Sequence, residues 1–307
     1  MAEQSSAVSK ETLRVGLVGI GNMGNPMASN LMKAGWKVNV YDVAPARVSE
    51  FLQAHGGKAS ASLTEVGKNS DVVITMLPDG KIVRRVALGA GAADDCLVKG
   101  LAKGSLIIDM SSSAPVGTRE LGADLSKHGI ALIDAPVSGG VKGAIAATLA
   151  IMIGGDKAVA DRFDELLSAM GRRFYVGALG SGHAAKVLNN YVSAAGLAAA
   201  AEAVRIAERF GIDPQTLINV VNASTGRNNS TENKFAQFIL NGKFNSGFSL
   251  GLMAKDIALA MEVAQAVDVP AELGQATLDL WKKAESKVGG AADHTEIARF
   301  VNQQESK

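Results

Sequence analysis

Lys186 and Asn190 stand four residues apart, a spacing that puts both side chains on one face of a helix. The stretch Gly180-Ser181-Gly182-His183-Ala184-Ala185-Lys186-Val187-Leu188-Asn189-Asn190 runs from a glycine-rich approach into an alanine-rich helix. A lysine in such apolar company is expected to be partly desolvated, which pulls its pKa toward neutrality. So tuned, it can take a proton from a hydroxyl as hydride leaves the carbon, and return it in the reverse direction. Helical lysines more often snorkel to solvent, and the local residues alone do not separate the two arrangements.

Gly19-Ile20-Gly21-Asn22-Met23-Gly24 reads G-x-G-x-x-G. It follows an apolar run at residues 13–19 with the character of a buried parallel strand, and it opens a predicted helix. Gly19 would make the tight turn, Gly21 would let the backbone approach a pyrophosphate, and Gly24 would let the helix pack close to the sheet. With Asn22 and Met23 they would offer free N–H groups and the positive end of a helix dipole to the phosphates. Asp42 falls at the end of the next predicted strand, 18 residues after Gly24. A carboxylate there bonds ribose hydroxyls and repels a 2′-phosphate, so NAD is expected ahead of NADP. Arg47 could swing toward such a phosphate, although a helix arginine more often faces solvent.

Three other segments carry polar groups. Asp134-Ala135-Pro136-Val137-Ser138-Gly139-Gly140 lies at the carboxyl end of a predicted strand, where ligands of open α/β sheets bind. The bare N–H groups of Gly139 and Gly140 and the hydroxyl of Ser138 could hold a carboxylate, or the segment could be an ordinary glycine turn. Lys255-Asp256 is an adjacent pair on a predicted helix, a pattern usual for solvated surfaces. The run Thr225-Gly226-Arg227-Asn228-Asn229-Ser230 is rich in donors; it could wall a pocket for hydroxylated substrates or serve as a solvated interhelical loop.

The elements that must position these residues follow from periodicity. Strand-like runs occur at residues 13–19, 37–42, 72–76, 106–109, 131–134 and 150–153, with helices between most of them, such as 26–34. Strands alternating with helices mean a parallel, doubly wound sheet. After residue 176 no strand is evident. Helices are expected over 183–210, from Pro214, over 250–267 and over 272–287. The expected fold is α/β: a loose tail at 1–12, a Rossmann-type dinucleotide-binding domain at 13–179, and an all-helical domain at 180–307.

At 307 residues the chain suits two domains. A net charge of +1 gives no footprint for nucleic acid, and 47% hydrophobic with 20% charged residues is an ordinary globular composition. The single cysteine, Cys96, allows no internal disulfide and suits a reducing, cytoplasmic setting. The N-terminal residues lack the apolar core of a secretory signal, and no membrane span is expected. His55, His128, His183 and His294 are scattered without metal-ligand spacing, so no metal is expected.

In order and approximate spacing, the glycine fingerprint, the segment 134–140, the segment 180–190 and Lys255-Asp256 resemble the β-hydroxyacid dehydrogenase family, over residues 13–300. The resemblance implies that Lys186 is the catalytic acid/base and that Ser138, Gly139 and Gly140 bind a substrate carboxylate. It implies that Asn190 positions substrate, that Lys255 lies near cofactor and substrate, and that Asp256 orients neighbouring groups. Met76, Leu77 and Pro78, with Ser112 in the run 111–113, resemble loops that cover the nucleotide. His183 is taken as cofactor-facing or incidental. The family further implies NAD or NADP, a small hydroxy acid or semialdehyde such as 3-hydroxyisobutyrate, tartronate semialdehyde or a threonate-like acid, and a homodimer or homotetramer. The sequence departs from the family at Ala147, where glycine is common, and at Ser112, where threonine is common. An imine reductase shares the architecture but tends to lack the lysine, and a non-catalytic NAD-binding module would be free to lose it.

Overall fold

A computed structural model describes residues 8–303 of the chain. Residues 1–7 of the expected tail lie outside it. Residues 8–12 are tethered: the Val8 N–H donates to the Arg162 carbonyl, and Lys10 pairs with Glu165 and lies over the Trp36 ring.

The strands β1 (Arg14–Val18), β2 (Lys37–Tyr41), β3 (Lys58–Ala59), β4 (Val72–Thr75), β5 (Leu106–Asp109) and β6 (Ala131–Asp134) alternate with helices. These helices are α1 (Gly24–Lys33), α2 (Pro45–His55), α3 (Leu63–Lys68), α4 (Gly80–Leu88) and α5 (Pro115–Lys127). The strands pair in parallel in the order β3-β2-β1-β4-β5-β6. In such a sheet, ligands bind beyond the carboxyl ends of the strands where the order reverses, here between β1 and β4. α1 starts two residues earlier than expected because Met23, at φ −95° and ψ −48°, already has a helical backbone.

Successive strand residues point to opposite faces. Val72, Ile74, Leu106, Ile108 and Ile133 feed one core, and Val73, Ile107 and Leu132 feed another. Cover on both faces is why these strands read as unbroken apolar runs. Their ends are flush: Tyr41 and Thr75 lie opposite Val18, Asp109 opposite Thr75, and Asp134 opposite Asp109. The loops that follow therefore leave from one line.

β7 (Val137–Ser138), α6 (Gly140–Ala146) and β8 (Leu149–Gly154) come next. The strand expected at 150–153 is present, but it runs antiparallel to β6 and β7. A parallel return needs a crossover of about a dozen residues or more. Here β8 instead folds back on β7, with Val137 opposite Ile151 and Ser138 opposite Ala150, so the connection closes as a hairpin-like return over the seven-residue α6 rather than a crossover. α7 (Lys157–Arg162), α8 (Asp164–Ser168) and β9 (Gly171–Gly177), parallel to β8, close the unit's strand order.

α9 (Ser181–Phe210) carries the chain from the first compact unit, which ends at Lys186, into the second, which starts at Val187. The first unit takes in the start of α9 because the helix's first turn is hydrogen-bonded to the end of β6. α10 (Pro214–Asn222), α11 (Asn229–Asn233), α12 (Leu250–Ala266), α13 (Glu272–Val288) and α14 (Ile297–Gln303) build the second unit. Asp213 caps α10 by accepting the Thr216 N–H, with Pro214 in the first turn. Trp281, Phe235, Leu250, Ile257 and Leu278 fill its core. After β9 the described residues form no named strand; Ser249 and Asp293 make an isolated bridge. No helix among the described residues is long and apolar enough to cross a membrane. The described residues hold no group of three or more His, Cys, Asp or Glu disposed for a metal.

Candidate active site

The glycine turn after β1 is fixed by close packing at two of its three positions. Gly19 has φ +95°, and a Cβ there would come 2.4 Å from the Met76 carbonyl oxygen. A Cβ on Gly24 would lie 1.8 Å from the Gly19 carbonyl oxygen, so a side chain at either position would break the turn. Gly21 differs: its Cβ would meet only the Arg47 guanidinium, at 3.9 Å. The space over Gly21 is therefore open to a ligand, and no side chain caps the start of α1. Open backbone at a helix N-terminus fits a pyrophosphate. Asn22 is exposed, and Met23 is half-buried against the core.

Asp42 follows β2 and points back at this turn. Its carboxylate accepts the Ile20 N–H at 3.0 Å and the Ala44 N–H at 2.9 Å, and Arg47 lies 3.6 Å away. The Asp42 side chain is only 5% exposed, while that of Arg47 is 57% exposed.

Met76, Leu77 and Pro78 leave β4, and residues 111–113 leave β5. The Leu77 N–H donates to Ser111 Oγ at 2.9 Å, which joins the two loops. Asp109, buried at the end of β5, accepts from Thr75 Oγ1 at 2.9 Å, the Ser111 N–H at 3.0 Å and Ser113 Oγ at 2.6 Å. Its charge is taken up by directed donors, as a buried carboxylate requires. Ser112, between these anchored serines, is half-buried.

Ser138 is held by the pairing of β7 with β8 and is half-buried, while Gly139 and Gly140 are exposed. Gly139 adopts φ +133° and Gly140 φ +61°, and a Cβ on Gly140 would meet open space. Ala147, at the end of α6, adopts a left-handed φ of 55°. An alanine there carries a strain of about 1–2 kcal/mol that a glycine would not.

Asp134 ends β6 with no exposed surface. It accepts the Gly180 N–H at 2.8 Å and the His183 N–H at 2.7 Å, and so binds the start of α9 to the sheet. A carboxylate at a helix N-terminus also meets the positive end of its dipole. Room for it comes from glycines. A Cβ on Gly154 would lie 2.5 Å from Asp134 Oδ1, and one on Gly182 would lie 2.2 Å from the Met152 carbonyl oxygen. The glycine-rich approach to Lys186 is thus a packing requirement. One turn into the anchored helix, Lys186 is 9% exposed rather than extended into solvent.

His183 is fully buried, so it presents no surface to a cofactor. Its Nε2–H donates to the Ser111 carbonyl at 3.1 Å, and Nδ1 is hydrogen-bonded to the Thr118 hydroxyl at 2.9 Å. The sequence places Asp134 at a strand end and His183 at the start of the helix, but not what they bind, since their partners lie dozens of residues away.

In the second unit, Asn190 and Asp256 are buried together. Asn190 Nδ2 donates to Asp256 Oδ2 at 2.6 Å, and Lys255 Nζ lies 3.5 Å from Asp256 Oδ1. The buried carboxylate fixes the amide orientation of Asn190, and its neighbour Lys255 is partly buried rather than fully solvated. In the run 225–230, Asn228 caps α11 in a reciprocal capping box with Thr231, and Arg227 is largely exposed and pairs with Glu232 at 3.6 Å.

Two family profiles tile the chain. Residues 14–180 match the NAD binding domain of 6-phosphogluconate dehydrogenase, and residues 180–301 match the NAD-binding region of NADP-dependent 3-hydroxyisobutyrate dehydrogenase. Among curated proteins, the 2-(hydroxymethyl)glutarate dehydrogenase of Eubacterium barkeri is 34% identical, covering 96% of each chain. A probable 3-hydroxyisobutyrate dehydrogenase of Mycobacterium bovis is 40% identical, covering 92% of this chain and 94% of its own. Among solved structures, the Mycobacterium tuberculosis 3-hydroxyisobutyrate dehydrogenase with L-serine superimposes with a TM-score of 0.85 at 36% identity, covering 94% of this chain and 99% of its own.

Proposed function

The chain belongs to the β-hydroxyacid dehydrogenase family, an NAD(P)-dependent hydroxyacid dehydrogenase, and from that premise we propose that Lys186 is the general acid/base in oxidation of a small β-hydroxy acid. The observation that carries this reading is the burial of Lys186, 9% exposed, one turn into a helix anchored by a buried carboxylate. An amine kept from water and fixed in position is suited to exchanging a proton with one hydroxyl. The nicotinamide, when bound, accepts the hydride from the alcohol carbon. Lys186 Nζ in its neutral form takes the hydroxyl proton, leaving a semialdehyde carbonyl, and returns that proton in reduction.

The other roles follow from the resemblance to the family, and the local geometry is suited to several of them. The exposed N–H groups of Gly139 and Gly140, with the Ser138 hydroxyl, are suited to receive the substrate carboxylate. By the same resemblance Asn190, whose amide is held by Asp256, positions the substrate, and Lys255 serves substrate and cofactor. Gly19, Gly21, Asn22, Met23, Gly24, Asp42, Met76, Leu77, Pro78 and Ser112 contact the nucleotide. NAD is favoured over NADP because the Asp42 carboxylate, tied to the glycine turn, stands where a 2′-phosphate would be repelled. Candidate substrates are 3-hydroxyisobutyrate, glycerate (giving tartronate semialdehyde) and threonate-like acids.

A second copy of the chain is the expected partner. Leu188, Val192, Ala199, Ala203, Ile206 and Phe210 are all exposed and fall along one line of α9. An apolar stripe along a 30-residue helix is suited to pairing in a homodimer or homotetramer.

The test is NAD reduction with a panel of these acids, with Lys186→Ala alongside. A fall in kcat of about 10² or more is expected. Turnover that survives the substitution would mean that another group moves the proton.

A further inference from the structure

We propose that His183 is a positioning residue that couples the nucleotide loops to the first turn of the Lys186 helix. The proposal uses the reading of residues 76–78 and 111–113 as nucleotide loops, and it deepens the role given to Lys186. A hydrogen-bonded path runs through the buried interior. The Leu77 N–H donates to Ser111 Oγ, the Ser111 carbonyl accepts the Nε2–H of His183, and the His183 backbone N–H donates to Asp134. Lys186 follows His183 by three residues, so it rides on the turn that His183 fixes.

The imidazole is gripped from every side. Thr118 holds Nδ1 at 2.9 Å, and the carboxylates of Asp109 and Asp134 lie 3.6 Å from Nε2 and Nδ1. Asp109 in turn binds Thr75, Ser111 and Ser113, so the group that organises the nucleotide loop also flanks the ring. A shift of the Ser111 loop on filling of the nucleotide site must therefore move the imidazole or break its bond. Buried networks of this kind have few alternative arrangements and transmit displacement rather than absorb it. Occupation of the nucleotide site then tightens the start of α9 and sets the amine.

The experiment is amide hydrogen exchange of the full-length protein with and without NAD, on the natural chain and on His183→Leu, His183→Gln and His183→Asn. Glutamine places an N–H donor near the position of Nε2, while asparagine reaches only the Nδ1 side. In the natural chain NAD should slow exchange at residues 181–186 as well as at the two loops. That slowing at 181–186 should vanish in His183→Leu and His183→Asn, persist in His183→Gln, and leave loop protection in place. Loss of coupling should also lower kcat by about tenfold to 10²-fold, the scale of a small misplacement of a catalytic group, with a lesser change in the KM for NAD. Equal behaviour of the Gln and Asn variants, or NAD-dependent protection of 181–186 that survives His183→Leu, overturns the proposal, as does its absence from the natural chain. Lys186→Ala in the same exchange experiment separates the questions. It should keep the coupling, so an error in the proton assignment appears in its turnover and an error in the coupling appears in exchange.

Discussion

The buried carboxylate of Asp134 accepts the backbone N–H of His183 at 2.7 Å, and this bond fastens the helix that carries Lys186 to the carboxyl edge of the sheet. The same carboxylate takes the Gly180 N–H at 2.8 Å. Asp134→Ala removes both acceptors and strands two buried donors. Each costs on the order of 1–3 kcal/mol, so a loss of about 3 kcal/mol is expected by urea denaturation. Asp134→Asn, which keeps one acceptor, should lose less. Equal stability of the alanine variant and the natural chain would show that water or a shifted backbone replaces the carboxylate.

Asp42 is expected to set the choice of cofactor. Asp42→Asn keeps the shape and removes the charge that stands against a 2′-phosphate, and exposed Arg47 lies 3.6 Å away to pair with one. The ratio of kcat/KM for NADP to that for NAD should rise about tenfold or more, equivalent to about 1.4 kcal/mol. A ratio that does not move would place discrimination elsewhere.

The helical unit should weaken in acid through His294. This residue is 1% exposed; Nδ1 faces the Phe248 carbonyl at 3.0 Å, and Nε2 receives the Lys234 ammonium. Burial, with the Lys234 charge adding to it, pushes His294 down to about 4, against the opposing pull of Asp293 and the Phe248 carbonyl. An unfolded histidine titrates near 6.5, so between about 6.5 and 4 the unfolded chain binds a proton that the folded chain refuses. Stability should therefore fall as pH drops through that window, by at most about 3 kcal/mol from this group. His294→Gln, which keeps an acceptor for Lys234, should flatten the slope of Tm against pH there. Burial also lowers Lys234 to about 8, so its effect has the same sign in a higher window: stability gained as pH rises from about 8 toward 10.5.

The apolar line on α9 predicts association. Ile206 is 70% exposed and Phe210 84% exposed. Ile206→Glu should shift the mass measured by light scattering toward the monomer, because burying a carboxylate in an apolar interface without a partner is costly. An unchanged mass would mean that α9 does not form the contact.

Much of the first unit was legible in the sequence. Gly19, Gly21 and Gly24 announced a strand–turn–helix: at Gly19 and Gly24 only glycine tolerates the close contacts of the turn, while Gly21 leaves the backbone open. The apolar runs announced buried parallel strands because a sheet covered on both faces has no polar side to display. Short β3 and β7 were not legible, since two residues carry no periodicity, and neither was the antiparallel sense of β8. Ala147 could be noticed as a departure, but its left-handed backbone could not.

By itself the sequence determined the local chemistry: which loop has bare backbone, which strand ends in an acid, and which helix carries Lys186 and Asn190 on one face. Those are properties of neighbours along the chain, fixed by sterics and by periods of two and 3.6 residues. Only the tertiary structure decided which distant groups satisfy one another. The flush register of β4, β5 and β6 sets Asp109 and Asp134 side by side, and burial then obliges each to find donors. His183 reads as cofactor-facing or incidental for that reason: its bonds to Ser111, Thr118 and Asp134 span gaps of 72, 65 and 49 residues, which no local pattern encodes.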